Sequence, residues 1–215
     1  MLRNTLTFRG KIKEALSRCK TIFLYFVNIK KKIILYKIWA NITAPNKNSV
    51  IIIANGPSFN KEIAASIISK RKYFHVFTMN SYCLDSISKK LIPDYYLLSD
   101  PANFETENES IKVDNNALKK YIKNSAIKFI SPYGAKWKFY KKPYLEFNDS
   151  QNLSSNNIDP RKPRGYRSNT GFKAIALALA LGYNKVFMVG FDFDYPRKIT
   201  INKSNKIFLK NKHSH

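Results

Sequence analysis

The sequence predicts an α/β fold with a single doubly wound, mostly parallel sheet of the Rossmann-like type. Three observations support this prediction. Short runs of β-branched and aromatic residues alternate with helical stretches, which is typical of consecutive βαβ units. The run at 49–54 is a short, continuous series dominated by β-branched residues, as in strands buried on both faces of a parallel sheet. The 215 residues are 44% hydrophobic, enough for one domain with a sizeable core.

The predicted elements follow one another along the chain. After the strand at 49–54, Asn-Gly-Pro-Ser breaks the pattern, and a helix is predicted over 61–70. Further strands are predicted at 74–78, 95–99, 126–131 and 185–189, and further helices at 81–91, 116–124 and 172–181. The last helix is the most clearly marked, because Asn169 is a candidate N-cap and Gly182 is a C-terminal stop.

Residues 1–48 are predicted as a basic, amphipathic helical extension ahead of the main domain, 49–215. The extension contains eleven Lys and Arg residues and a single acidic residue, Glu14. Three lysines divide its apolar runs, so neither run reaches the ~20 residues of a membrane-spanning helix. Two arrangements stay open for the extension. It lies peripherally on an anionic membrane surface, or it packs on the domain itself.

Two features are predicted for the C-terminal half. The stretch 132–165 is predicted as a long flexible loop, because its periodicity fades and 151–157 is polar. A doubly wound sheet would continue with another helix and strand after the strand at 185–189. We therefore expect the C-terminal lid to be missing or truncated.

The charge balance is strongly positive, with 38 Lys and Arg against 14 Asp and Glu and a net charge of +24. Such a chain attracts nucleic acids, anionic lipids or phosphate-bearing substrates. A nucleic-acid-binding protein is the non-enzyme alternative, but it is disfavoured because the aromatic residues lie within apolar runs. Cys19 and Cys83 have no metal-ligand spacing, and their low number favours a cytoplasmic setting, at the inner membrane face if the extension contacts lipid.

Polar residues follow the ends of several predicted strands and begin the last helix. In a doubly wound sheet, ligands bind outside the carboxyl ends of the strands, where loop amides and helix N-termini face anions. We expect these positions to meet at one edge of the sheet. The candidate binding residues are Asn55, Gly56, Pro57, Ser58, Asn80, Asp100, Asn169, Thr170, Gly171, Gly190 and Asp192.

These motifs resemble those of the bacterial lipooligosaccharide sialyltransferases, glycosyltransferase family forty-two. The segments that carry the resemblance, in the same order, are IIANGPS at 52–58, FTMN at 77–80, YLLSDP at 96–101, RSNTG at 167–171, and ALALGY with VGFDF within 178–193. The first and last are shared with a broader set that includes the motility accessory factor glycosyltransferases and MptE-like pterin diphosphokinases. The resemblance covers 49–193 and implies a variant of the GT-A fold.

The resemblance implies an inverting transfer of sugar from a CMP-sialic-acid-like donor to a glycan acceptor, in lipooligosaccharide or other surface-glycan synthesis. No metal is required in that family. The strand-end residues would line the nucleotide pocket. By the same resemblance, Arg167 would bind a carboxylate or phosphate, and Tyr195 would assist the departing phosphate. His213 or His215 would be the general base.

Three positions depart from the sialyltransferase pattern. Asp100 replaces an asparagine, and its charge would repel the donor's anionic groups. Asp194 replaces the family's tyrosine, which is displaced to Tyr195. The two terminal histidines are closer in sequence to Asp192 than the family's base is. The pair Asp192 and Asp194 could hold Mg²⁺ or Mn²⁺.

Three alternatives to sialyl transfer therefore stay open. The first is metal-dependent transfer from another nucleotide sugar. The second is diphosphate transfer from ATP, with Mg²⁺, to a pterin-like alcohol. The third is an inactive remnant of a longer transferase.

Overall fold

The computed structural model contains a six-stranded parallel sheet with helices on both faces, which confirms the predicted α/β fold. The residues that it describes are 29–99, 115–135, 143–150, 158–162, 169–192, 199–201 and 207–209, with Cys19 and Phe26. The strands of the sheet are β1 (Ser49–Ile53), β2 (His75–Met79), β3 (Tyr95–Leu97), β4 (Lys128–Pro132), β5 (Leu145–Phe147) and β6 (Lys185–Val189). A separate antiparallel pair consists of β7 (Ile199–Ile201) and β8 (Ile207–Leu209).

In the described part of the chain, four α-helices flank the sheet. The described part of α1 covers 29–40, and the others are α2 (Lys61–Ser69), α3 (Asn115–Ile122) and α4 (Thr170–Ala180). Asn60 begins α2, because its side chain accepts a hydrogen bond from the backbone N–H of Ile63 at 2.9 Å. Asn169 caps α4 in the same way. Small and straight-chain residues then favour the helical conformation through to Ala180.

The strand order is β5-β4-β3-β2-β1-β6, and it decides where a ligand can bind. The chain adds strands outward from β1 to β5 and then returns to place β6 on the other side of β1. The strand order thus reverses between β1 and β6. In open parallel sheets, the crevice at such a reversal is the usual ligand site.

The sheet divides the core into two layers, because successive side chains of a strand point to opposite faces. Val50 and Ile52 of β1 face the layer that contains α1 and α4. Ile51 and Ile53 face the layer that contains α2 and α3. Burial on both faces explains why β1 is apolar from Val50 to Ile53.

The described part of the N-terminal extension packs on the main domain. Leu35 is fully buried in the α4 layer, and the indole Nε1 of Trp39 donates a hydrogen bond to the carbonyl oxygen of Glu146 at 2.9 Å. The hydroxyl of Tyr36 donates to Asp159 Oδ2 at 3.3 Å. Helix α1 therefore shares the core of the domain that follows it. Within the described residues, no helix has the length and apolar character to cross a membrane.

Two predictions of local structure are corrected. The helix predicted over 81–91 is wrong, because Asp85 is extended and separates two 3-10 helices, Asn80–Leu84 and Ser86–Lys89. Asp85 accepts a hydrogen bond from the N–H of Ile87 and thereby starts the second one. The loop predicted over 132–165 contains β5, whose Leu145 and Phe147 are buried. Three residues are too short a run for alternation to be recognised in the sequence.

Candidate functional site

The candidate site lies at the rim, which we define as the C-terminal edge of the parallel sheet. At the point where the strand order reverses, the loops after β1 and β6 are bonded directly to each other. The N–H of Ala54 donates to the carbonyl oxygen of Val189 at 2.9 Å, and that of Gly56 donates to Gly190 at 3.0 Å. These bonds extend the β1–β6 pairing into both loops, so the rim is held rigidly here.

Glycine is required at two positions of this junction. A Cβ on Gly56 would lie 2.1 Å from Asp192 Oδ2 and 2.4 Å from the carbonyl oxygen of Gly190. Gly190 itself has φ +75°, in the left-handed region that favours glycine, and a Cβ there would lie 2.5 Å from the carbonyl oxygen of Ala54. The two glycines therefore let two backbones approach more closely than side chains would permit.

The carboxylate of Asp192 connects the same two loops. Its Oδ2 accepts a hydrogen bond from the backbone N–H of Ser58 at 2.9 Å, in the exposed turn formed with Pro57. Asp192 thus holds the turn after β1 in place. Its predicted metal partner, Asp194, lies outside the described residues. Among the residues that are described, no group of three His, Cys, Asp or Glu side chains could hold a metal ion.

A second cluster forms where β2, β3 and α4 meet, and we call it the Asn80 cluster. Asn80 Nδ2 donates to Thr170 Oγ1 at 3.1 Å, and Thr170 Oγ1 also lies 2.8 Å from Ser99 Oγ. The hydroxyl of Tyr96 donates to the carbonyl oxygen of Asn80. Three elements that are distant in sequence are thereby joined by short polar contacts.

Asn80 has an unusual backbone and one unsatisfied atom. Its φ is +47°, a left-handed conformation that Asn tolerates better than most residues. Its Oδ1 is buried and accepts no hydrogen bond from any described residue. A buried acceptor without a donor is costly, so a ligand that supplies an N–H or O–H group would be favoured there.

The N-terminus of α4 reaches the same rim. Asn169 Oδ1 accepts from the N–H of Phe172 at 2.9 Å, which caps the first turn. Gly171 allows a close approach to the loop after β6, because a Cβ there would lie 2.5 Å from Phe191 Cε1. The positive end of the helix dipole lies in this turn, which is favourable for a phosphate or carboxylate.

A small pocket separates the β1–β6 junction from the 3-10 helix Asn80–Leu84. Asn55 Nδ2 bridges this gap by donating to Ser81 Oγ at 2.9 Å. The pocket is lined by Ala54, Asn55, Gly56, Phe59, Ser81, Tyr82, Leu84 and Asp85. It combines amide, hydroxyl and carboxylate groups with two aromatic rings.

A buried ion pair stabilises α4 one turn beyond Thr170. Lys173 Nζ lies 3.0 Å from Asp149 Oδ2, and the Lys173 side chain is only 5% exposed. Asp149 follows β5, so the pair ties the start of α4 to the far end of the rim. Lys173 follows Thr170 by three residues, and residues at this spacing lie on one face of a helix.

The structure thus brings most of the described candidate residues together at the rim. Sequence reasoning missed Ser81, Ser99 and Lys173. Both serines lie two residues after a strand end, and that position was the available signal, whereas nothing local distinguishes Lys173. The remaining predicted residues lie outside the described part of the chain, and their roles stay predictions: Asp100, Arg167, Asp194, Tyr195, His213 and His215.

The described histidine lies away from the rim. His75 begins β2 at the opposite end of the sheet, and its Nδ1 is 2.6 Å from the hydroxyl of Tyr183. Burial lowers the pKa of His75, and nearby cations contribute, although Asp94 opposes them. His75 therefore lies at the end of the sheet opposite the rim and is not part of the candidate site.

Comparison with known proteins gives a similar solved structure and a matching family model. The structure is similar to the MAf glycosyltransferase from Magnetospirillum magneticum AMB-1, with 12% sequence identity and a TM-score of 0.45 over 82% of this chain. The chain spans 29% of the length of that protein. No curated protein matches the sequence. A family model described as 6-hydroxymethylpterin diphosphokinase MptE-like matches residues 24–198 and confirms the predicted relation to that broader group. The chain belongs to the 6-hydroxymethylpterin diphosphokinase MptE-like family.

Proposed function

We propose that the protein is a glycosyltransferase of bacterial surface-glycan synthesis that uses a nucleotide-activated sugar. The observation that carries the proposal is the buried, unsatisfied Oδ1 of Asn80 at the rim. A nucleotide supplies hydroxyl and amino donors that would satisfy this acceptor. The helix N-terminus at Thr170 lies within the same cluster and would favour its phosphate.

A CMP-linked, sialic-acid-like donor is the preferred substrate. The motifs around Asn55, Asn80 and Thr170 support this choice through their resemblance to the sialyltransferases. In the proposed reaction, the acceptor hydroxyl oxygen attacks the anomeric carbon, and the bond from that carbon to the phosphate oxygen breaks. His213 or His215 would take the hydroxyl proton as CMP leaves.

Diphosphate transfer is the second candidate, and the family model favours it. Here an alcohol oxygen of a pterin-like substrate would attack the β-phosphorus of ATP, and AMP would leave. Mg²⁺ would neutralise phosphate charge in such a reaction. The described residues do not by themselves provide a ligand set for it, since Asp192 Oδ2 already accepts the Ser58 amide. We therefore assign no step to a metal.

A thermal-shift panel separates the two candidates. The full chain would be heated with CMP, CDP, UDP, GDP or ATP, each with and without Mg²⁺. A ligand at about 100 times its Kd stabilises the folded state by about 2.7 kcal/mol, which raises the Tm of a chain of this size by about 5–10 °C. We expect CMP to do so regardless of Mg²⁺. A shift that needs ATP and Mg²⁺ would favour diphosphate transfer, and a folded sample without any shift would contradict both.

The Asn80→Gly variant tests the observation itself. Glycine tolerates the positive φ of Asn80, so this change removes the side chain with little backbone strain. We expect the CMP-induced shift to be lost. The matched control is Asn41→Ala, which removes an exposed asparagine on the α1 side, and it should keep the shift. Equal CMP-induced shifts in Tm in the two variants would show that Asn80 does not contribute to the nucleotide site.

A further inference from the structure

Helix α1 has an inner and an outer face. Its inner face packs on the domain through Leu35 and Trp39. On the opposite face, Ile29 is 37% exposed and Ile33 is 53% exposed. These two positions are four residues apart, so they lie one above the other on the same face of the helix.

Two lysines lie on the same outward face. Lys30 and Lys37 are exposed and have no ion-pair partner among the described residues. They differ from the neighbouring lysines of the helix, which contact the protein. Lys31 Nζ donates to Ser150 Oγ at 3.1 Å, and Lys32 Nζ lies 5.7 Å from the centre of the Tyr36 ring. The outer stripe, defined as Ile29, Lys30, Ile33 and Lys37, is therefore both apolar and cationic.

We propose that the outer stripe binds the surface of an anionic membrane. Apolar side chains that enter the headgroup boundary and lysines that remain at the phosphates are the pattern of an interfacial helix. A second copy of the chain is a poorer partner, because each copy carries a net charge of +24 and would repel the other. Nucleic acid would match the lysines but would leave the exposed isoleucines without an apolar contact.

The direction of α1 relates this surface to the rim. Lys31 contacts Ser150, which lies three residues beyond the C-terminal end of β5, whereas Trp39 contacts Glu146 within the strand. The N-terminal end of α1 therefore lies at the rim end of the sheet. A membrane bound along the outer stripe would lie beside the rim. The outer stripe is separate from the rim, so membrane binding can be present or absent independently of the proposed function.

Vesicle flotation with the full chain tests the charge contribution. Vesicles of phosphatidylcholine with about 30% phosphatidylglycerol would be compared with pure phosphatidylcholine, because a lysine near an anionic surface contributes about fivefold in affinity. We expect binding to the anionic vesicles and an affinity about 25-fold weaker in K30Q/K37Q. The matched control is K120Q/K123Q, which removes two exposed lysines near α3 and should bind nearly as the unmodified chain does. Equal weakening in both pairs would overturn the assignment to this helix.

The apolar contribution needs its own variant. Ile33→Gln changes the outer stripe, and Ile68→Gln changes an isoleucine of α2 that is also exposed, at 42%. Of the two variants, we expect only Ile33→Gln to weaken vesicle binding. The circular dichroism spectrum and the Tm should be unchanged in both variants. Absence of binding to the anionic vesicles, or a dimer in sedimentation velocity that Ile33→Gln dissociates, would overturn the proposal. The proposal would also be overturned if an oligonucleotide displaced the vesicles and its own binding were unchanged in Ile33→Gln.

Discussion

Asn80 Nδ2 donates a hydrogen bond to Thr170 Oγ1 at 3.1 Å, although the two residues are 90 positions apart in the sequence. The bond joins the end of β2 to the first turn of α4. Ser99, just after β3, contacts the same Thr170 hydroxyl, with its Oγ at 2.8 Å. A single threonine thus sets the distance between two strand ends and a helix N-terminus. The geometry of the rim depends on that position.

Thr170→Val should weaken both the fold and nucleotide binding. Valine keeps the shape of threonine but removes the hydroxyl that Asn80 and Ser99 contact, leaving their polar groups without this partner. We expect a loss of about 1–3 kcal/mol in the free energy of unfolding, measured by urea denaturation. Thr170→Ser keeps the hydroxyl and should stay close to the unmodified chain. Equal stability of the two variants would contradict the role assigned to this hydroxyl.

Gly56→Ala should be strongly destabilising, because its Cβ would meet both Asp192 and the backbone of Gly190. Gly134→Ala is the control, since Gly134 has φ +76° but no atom within 4 Å of its Cβ position. That control measures backbone strain alone, about 1–2 kcal/mol. We expect a larger loss for Gly56→Ala in thermal denaturation.

The double variant Gly56→Ala with Asp192→Ala refines this prediction. Removing the carboxylate relieves one of the two clashes, whereas the carbonyl oxygen of Gly190 stays 2.4 Å from the new Cβ. Rescue should therefore be partial. Full recovery of stability would show that the two loops can separate without cost.

Lys173→Met should destabilise the chain by about 3–5 kcal/mol, because it leaves Asp149 without the cation that lies 3.0 Å away. Methionine preserves most of the buried stem, so the loss reports mainly the charge. Lys120→Met, at an exposed position of α3, should change the free energy of unfolding by less than about 0.5 kcal/mol. Similar losses in the two variants, measured by urea denaturation, would show that the buried pair contributes little.

The free energy of unfolding should decrease as the pH falls, in part because of His75. Its pKa is lowered in the folded state, first by burial, so the unfolded chain binds a proton more readily. The contribution is fully present above the unfolded pKa of about 6.5 and is lost as the pH falls toward the lowered folded value. We expect the Tm of His75→Gln to decline less than that of the unmodified chain between about pH 7.5 and 5.5. Parallel declines would exclude His75 as the source.

Some strands were easier to predict than others, because a longer strand has a clearer pattern of apolar residues. The apolar run at β1 covers four of its five residues, Val50 to Ile53, and is buried on both faces, so its pattern was unambiguous. β5 has three residues, and its buried Leu145 and Phe147 flank a half-buried Glu146, which left no recognisable period. Asp85 interrupted a stretch that otherwise has helical composition, because its side chain bonds to a backbone amide two residues later.

The sequence by itself determined the class of fold, most of the elements and the polar residues at the strand ends, because these depend on short-range patterns of burial and backbone preference. The tertiary structure alone decided that the strand order reverses between β1 and β6 and that Asp192 bonds to Ser58. It also decided that Lys173 pairs with Asp149. Such contacts join residues far apart in the chain, and local pattern carries no information about which strand ends become neighbours.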